Sequence, residues 1–338
     1  MSFILYYTNF TTLKKNIELI EVQSDLGAAT RGAGFGALAL QKFGTSRQQN
    51  IFVNIPQKTS FLPLESGYSS NYARNIETIV KTCTFISNDV CRSIQRGNKP
   101  VIISGDHSNA AGTIAGIKMA KPNSVLGVVW IDAHADLHSP YTSPSGNMHG
   151  MPLAASIGDD NLKKARRDID TLTSYYWDKF KNIGNISPKV RPSNIVYVSL
   201  RDYEKEEAHL IETYGINHIN TCSLVNFGTE DVVAKIFDQL QNCTDIYVSF
   251  DVDSLDSSVS RGTGLPVKGG LMPWEAELLV SLLLKNPKVA CFEITEFNTF
   301  LDLFNETAPI VYDILEKGIL AMQNSHISSS LFSENSYV

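Results

Sequence analysis

A chain of 338 residues with 43% hydrophobic content is long enough for one large α/β unit with a sizeable core. Its 29 Lys and Arg stand against 35 Asp and Glu, a net charge of −6 with no basic run, which argues against a nucleic-acid partner. No apolar run reaches the roughly 18 residues of a membrane span, and five cysteines without a CxxC pair read as unpaired thiols in a reducing compartment.

Residues 1–16 read as an N-terminal arm, and Met1 to Tyr7 lacks the basic flank and cleavage site of a secretion signal, so a cytoplasmic location is expected. Ile17 to Val22 is a first strand, followed by a glycine-rich turn and a helix around Ala37 to Lys42. The turn matches neither a Walker pattern nor GxGxxG, so tight geometry explains it better than phosphate binding. Asn50 to Ile55 reads as a second strand, and Ile76, Ile79, Val80, Cys83, Ile86 and Val90 predict a long helix within Tyr72 to Gln95. Lys99 to Ser104 is a short buried strand opening into Gly105-Asp106-His107-Ser108, with Ser108 placed to cap a helix over Ala110 to Met119.

The apolar run Val125 to Val129 continues into Trp130-Ile131-Asp132-Ala133-His134-Ala135-Asp136. In extended chain, alternation puts Asp132, His134 and Asp136 on one side. The charged stretch 161–191 predicts one or two surface helices. Strands at Asn194 to Leu200 and Ile216 to Asn220 then alternate with helices at Tyr203 to Tyr214 and Thr229 to Leu240. Asp245 to Phe250 is a second apolar strand ending in acid, at Asp251 and Asp253. A helix over Pro273 to Leu284, a strand over Val289 to Ile294 and a helix over Glu306 to Met322 complete the pattern, leaving 324–338 as a loose tail. Unbroken βα alternation predicts one three-layer α/β/α domain over 17–323 around a mainly parallel sheet, with ligands bound at the carboxyl ends of the strands.

His107, Asp132, His134, Asp136, Asp251 and Asp253 all fall at such ends. Apolar strands gain nothing from buried carboxylates unless cations offset the desolvation. A carboxylate-rich, thiolate-free set suits Mn²⁺ or another hard to borderline divalent ion, and six ligands suggest two ions sharing carboxylates.

Gly105-Asp106-His107-Ser108, Asp132-Ala133-His134-Ala135-Asp136 and Ser249-Phe250-Asp251-Val252-Asp253-Ser254-Leu255-Asp256 resemble the three signatures of the arginase (ureohydrolase) family. The resemblance implies that fold, two Mn²⁺ per chain (with Co²⁺ as an alternative), and hydrolysis of a guanidinium group by a metal-bridging hydroxide. It implies one ion on His107, Asp132, Asp136 and Asp251, and another on His134, Asp132, Asp251 and Asp253. Asp136 would pass a proton to the leaving amine, His149 would act as proton shuttle, and Glu296 would bind the guanidinium. The segment Ser145-Gly146-Asn147-Met148-His149-Gly150 resembles the arginase branch, implying L-arginine as substrate and ornithine and urea as products. Ser143, Ser145 and Asn147 would then receive the α-carboxylate and Glu204 the α-ammonium. Asp202 and Glu207 would serve as secondary acids, and Thr263 would lie near the guanidinium. His138 stands where many arginases have asparagine, and Glu204 where many have aspartate. A homo-oligomer is expected from the same resemblance. The competing readings are an amidinohydrolase for agmatine or guanidinobutyrate, an inactive metal-binding scaffold, and a single-zinc deacetylase of related architecture.

Overall fold

A computed structural model describes residues 17–47, 50–60, 62 and 67–333; the N-terminal segment 1–16 and residues 334–338 lie outside the described residues. In chain order the strands and helices are β1 (Ile17–Val22), α1 (Gly36–Gly44), β2 (Gln57–Thr59), α2 (Ile76–Gln95), β3 (Lys99–Ser104), α3 (Ala110–Ala120), β4 (Leu126–Ile131), α4 (Pro152–Ile157), α5 (Thr171–Lys181), β5 (Ile195–Val198), α6 (Lys205–Tyr214), β6 (Asn217–Ile219), α7 (Thr221–Phe227), α8 (Thr229–Gln239), β7 (Asp245–Asp251), α9 (Pro273–Leu284), β8 (Val289–Thr295) and α10 (Thr307–Ser333).

The strands form one sheet in the order β2-β1-β3-β8-β7-β4-β5-β6, with every pairing parallel. Both faces are covered, which is why β4 and β7 read as continuous apolar runs and are buried throughout. Alternation sorts their side chains between two cores. Val129, Ile131, Val248 and Phe250 pack with α8, α9 and α10, whereas Val128, Trp130 and Tyr247 pack with α2, α3 and α4. Layers of helix, sheet and helix result, as the βα alternation predicts.

After β3 the chain crosses to β4, leaving two positions that β8 and β7 fill later. A sheet whose order reverses in this way opens a crevice at the carboxyl ends of its strands. The ends of β3, β4, β7 and β8 lie around it.

Three local expectations differ from the structure, and one helix was not expected at all. Asn50 to Ile55 is not a strand: the Asn50 side chain accepts from Phe52 N at 2.9 Å, closing a short 3₁₀ turn, and the second strand is the edge segment β2. Ser108 does not cap α3; Asp106 accepts from Ser108 N at 2.8 Å and from Gly27 N at 2.8 Å, tying the glycine-rich turn to the end of β3. Helix α7, capped by Asn220 on Ser223 N at 3.0 Å, has too weak an apolar period to be read from sequence. The last helix does not stop at Met322, because neither Gly nor Pro interrupts residues 324–333, and the buried Ser325 bonds back to Met322 O at 2.7 Å. All five cysteines are free thiols.

Candidate active site

His107 follows β3 and lies flat on Trp130 of β4, ring centroids 4.0 Å apart and planes 4° from parallel. Its Nε2 pairs with Ser249 Oγ of β7 at 2.8 Å, so in the tautomer that donates from Nε2 the other nitrogen is a free lone pair. That atom, Nδ1, is 3.0 Å from Asp132 Oδ2, 3.1 Å from Asp136 Oδ2 and 3.1 Å from Asp251 Oδ2. Three strand ends thus aim four potential ligand atoms at one point.

Beside it, His134 Nδ1 lies 2.9 Å from Asp253 Oδ2 and 3.6 Å from Asp132 Oδ1. Within each of the sets His107–Asp132–Asp136 and Asp132–His134–Asp253, ligand atoms lie close enough to hold one ion, and Asp132 belongs to both. Backbone amides fix these carboxylates: His134 N donates to Asp132 Oδ1 at 2.7 Å, Asp253 N to Asp251 Oδ1 at 2.8 Å and Ala133 N to Asp253 Oδ1 at 3.2 Å.

The electrostatics are frustrated without a cation. Burial and the neighbouring Asp253 and Asp132 hold the Asp251 carboxyl well above the usual range. Burial and Asp132 push Asp253 up to about 6, and the same causes raise Asp136. Burial opposes charge on His107, but the three aspartates outweigh it and raise its pKa. His107 Nδ1 and Asp132 Oδ2 are buried and make no aligned hydrogen bond. Crowded, orphaned oxygen and nitrogen donors of this kind are costly unless a positive ion satisfies them, so the residues fit a hard or borderline divalent metal.

Strand alternation does not explain the convergence at β4. The strand ends at Ile131, and Asp136 has a left-handed φ of 53°, so the chain turns to bring its carboxylate back. Glu296, just past β8, is also left-handed at φ 64°. Two non-glycine residues held in that region at one site mark backbone strain fixed by the surrounding structure. Glu296 Oε1 accepts from His107 N at 3.0 Å and lies 3.0 Å from His149 Nδ1. Burial disfavours the imidazolium of His149, but Glu296 overrides it and raises the pKa to about 9.

The far end of the cleft is built from the loop after β4 and the start of α6. His138 Nε2 lies 2.8 Å from Glu204 Oε2 and 3.4 Å from Glu207 Oε2. Glu204 caps α6 in a capping box with Glu207, whose other oxygen accepts from Leu137 N at 3.0 Å. The His138 bond lowers Glu204 to about 2, whereas burial lifts Glu207 to about 8 despite His138.

A cleft of about 620 Å³, solvent-filled mouth included, has on its walls His107, His134, Asp136, Asp251 and Asp253 at the inner end. Glu296 and His149 flank it, and His138, Ser143, Ser145, Asn147, Glu204 and Glu207 line the outer part. Asp132 lies beneath this lining, fully buried. Two residues singled out from sequence are not brought to the walls: Asp202 is exposed, its Oδ2 3.7 Å from His134 Nε2, and Thr263 is buried off the cleft. Conversely, Pro144 and Leu265 line it without a signal in the sequence, since nothing in an isolated apolar residue announces a cleft wall. Trp130 was legible only as a strand residue; its role as the platform under His107 depends on strand pairing.

The sequence profile of the arginase family matches residues 15–320. The chain is 33% identical to the arginase of Bacillus caldovelox over 310 residues, covering 89% of this chain and 97% of that one. Among solved structures, it is similar to the arginase of Bacillus subtilis, with a TM-score of 0.76 and 28% identity over 90% of this chain and 98% of that one. It is similar too to the Entamoeba histolytica arginase solved with L-ornithine, with a TM-score of 0.76 and 27% identity over 91% and 98% of the respective chains.

Proposed function

The chain belongs to the arginase family, and from that premise we propose that it hydrolyses the guanidinium group of L-arginine to L-ornithine and urea using two Mn²⁺ ions. The observation that carries the proposal is the pair of donor sets sharing Asp132 at the inner end of a cleft whose outer end offers both hydroxyl or amide donors and carboxylates.

His107, Asp132, Asp136 and Asp251 would hold one ion, and His134, Asp132, Asp251 and Asp253 the other. When bound, such ions would supply a water acidic enough to ionise near neutral pH and serve as the nucleophile. Glu296, its Oε1 steadied by the His107 amide and the His149 ring, binds the guanidinium as a charge-assisted partner and presents its carbon to attack. The Asp136 carboxylate, on the cleft wall, takes a proton from the nucleophile and returns it to the leaving amine. His149 holds a proton at the mouth, between Glu296 and solvent, and exchanges it as ornithine leaves.

At the outer end Ser143, Ser145 and Asn147 receive the α-carboxylate. Glu204, with Glu207 behind it, receives the α-ammonium. The Glu204 side chain is 47% exposed even with His138 on one oxygen, so it keeps a face for the substrate. Agmatine lacks the carboxylate and would leave these donors unmatched, at about 1–3 kcal/mol for each one buried.

The test is urea release from L-arginine, agmatine and guanidinobutyrate with Mn²⁺ supplied. L-Arginine should have the highest kcat/KM by orders of magnitude. Higher kcat/KM for either of the other two would overturn the substrate and leave a dimetal amidinohydrolase.

A further inference from the structure

The loop that lines the outer cleft is held from behind by two arginines. Arg74 donates from Nη1 to Asn147 Oδ1 at 3.3 Å, and its amide donates to Gly146 O at 2.8 Å. Gly146 has φ +71°, and a Cβ there would stand 2.1 Å from Asn71 O, so the loop is pressed against the 71–74 segment. Arg167 also donates from Nη1 to Ser143 O at 2.5 Å, its guanidinium 4.5 Å from the centroid of Tyr72.

Arg167 belongs to the long stretch before β5, which is fastened down around it. Arg166 pairs with Glu206 of α6 at 2.6 Å, Ser139 Oγ donates to Asp160 O at 2.6 Å, and Trp177 Nε1 donates to Asp160 Oδ1 at 2.6 Å. The two neighbouring arginines differ in one respect. Arg166 has a carboxylate partner, whereas among the described residues neither Arg167 nor Arg74 has one within 4 Å. Among the described residues, then, no carboxylate pairs with either charge, and both arginines contact the same five-residue loop.

Glu204 and Glu207 line the same outer cleft as that loop. The outer cleft thus has carboxylates in its lining, while the two arginines contact its loop from outside that lining. Ser143, Ser145 and Asn147 are neutral and can orient a carboxylate, but they bring no net charge to hold it. We propose that Arg74 and Arg167 supply the positive field that holds a substrate α-carboxylate against the Ser143–Asn147 loop. The stretch carrying Arg167 is then a specificity-determining element and not a passive cover. Both are positioning residues, since they act through the loop and do not line the cleft. The inference rests on the reading that the substrate is an α-amino acid.

The test compares L-arginine with L-argininamide, which keeps the guanidinium and α-ammonium but carries a neutral amide in place of the carboxylate. In the Mn²⁺-loaded protein, Arg167→Met should cut the preference for L-arginine on the order of tenfold, through KM with kcat held, and Arg167→Lys should restore most of it. Arg74→Met should act in the same direction. In the unmodified protein the preference should shrink as ionic strength rises, a measurement independent of whether any variant folds. Equal loss for both substrates, no change for either, or a salt-independent preference would overturn the proposal while leaving L-arginine as substrate. An unmodified protein that prefers agmatine to L-arginine would overturn the substrate reading and this inference with it.

Discussion

Asp132 belongs to both of the three-residue donor groups, one oxygen facing His107 and the other facing His134, and with Asp251 it would be shared by the two full ligand sets proposed above. Replacing it should therefore cost more metal than replacing a residue of one set. Asp132→Ala is expected to lose both ions and His107→Ala mainly one, as read by elemental analysis after dialysis; equal loss in the two would contradict the shared role. His149 differs again, since its ring faces Glu296 and not the aspartates. In His149→Asn, bound metal should persist while turnover falls by about 10²–10⁴, the usual loss for an acid-base group. Unchanged turnover would remove His149 from proton transfer. The candidate metal ligands were legible because carboxylates and imidazoles crowded at the ends of apolar strands are costly to bury without a cation between them. Asp202 and Thr263 show the limit: their neighbours in sequence lie close to the cleft, but side-chain direction put Asp202 in solvent and Thr263 in the interior.

At the scale of elements, the site depends on how closely the ends of β1, β3 and β8 approach. Gly105 is their meeting point. Its N–H donates to Val22 O at 2.9 Å, and its carbonyl accepts from Glu296 N at 2.8 Å and Thr295 Oγ1 at 3.1 Å. A Cβ at Gly105 would stand 2.0 Å from Ser24 O, which is backbone and cannot swing aside. Gly105→Ala should lower unfolding stability by about 1–3 kcal/mol, the range for forced overpacking, and should loosen metal binding through its neighbour His107. Urea denaturation with and without Mn²⁺ checks both; a stability within error of the parent would show that the strand ends can separate freely. Buried strands such as β4 and β7 could be read from apolar runs alone. The edge strand β2 could not, because three residues with one exposed face carry no run, and the apolar Ile51–Val53 beside it forms a turn instead. Helix α6 was legible for a different reason, the glutamates at its start, although only the structure shows that Glu204 and Glu207 form its cap and bind His138 together.

On the scale of the whole molecule, the sheet order accounts for the placement of the site. β3 and β4 are sequential strands separated by the later insertion of β8 and β7, and each of the four contributes its terminal residues to one crevice. The parallel sheet and its two helical layers were predictable from βα alternation; the strand order was not, since alternation does not say on which side each crossover lands. Nor did the 161–191 stretch disclose from its composition that it reaches back to the cleft. Its arginines look like ordinary surface charge until Ser143 and Glu206 are seen beside them. No helix among the described residues is long and apolar enough to cross a membrane. The proposed hydrolysis needs both donor sets filled. Titrating metal-stripped protein with Mn²⁺, while counting bound ions and measuring urea released from L-arginine, tests it directly. Activity should rise to its maximum as two equivalents bind per chain. Full activity with one equivalent bound, or no urea at saturation, would contradict the account.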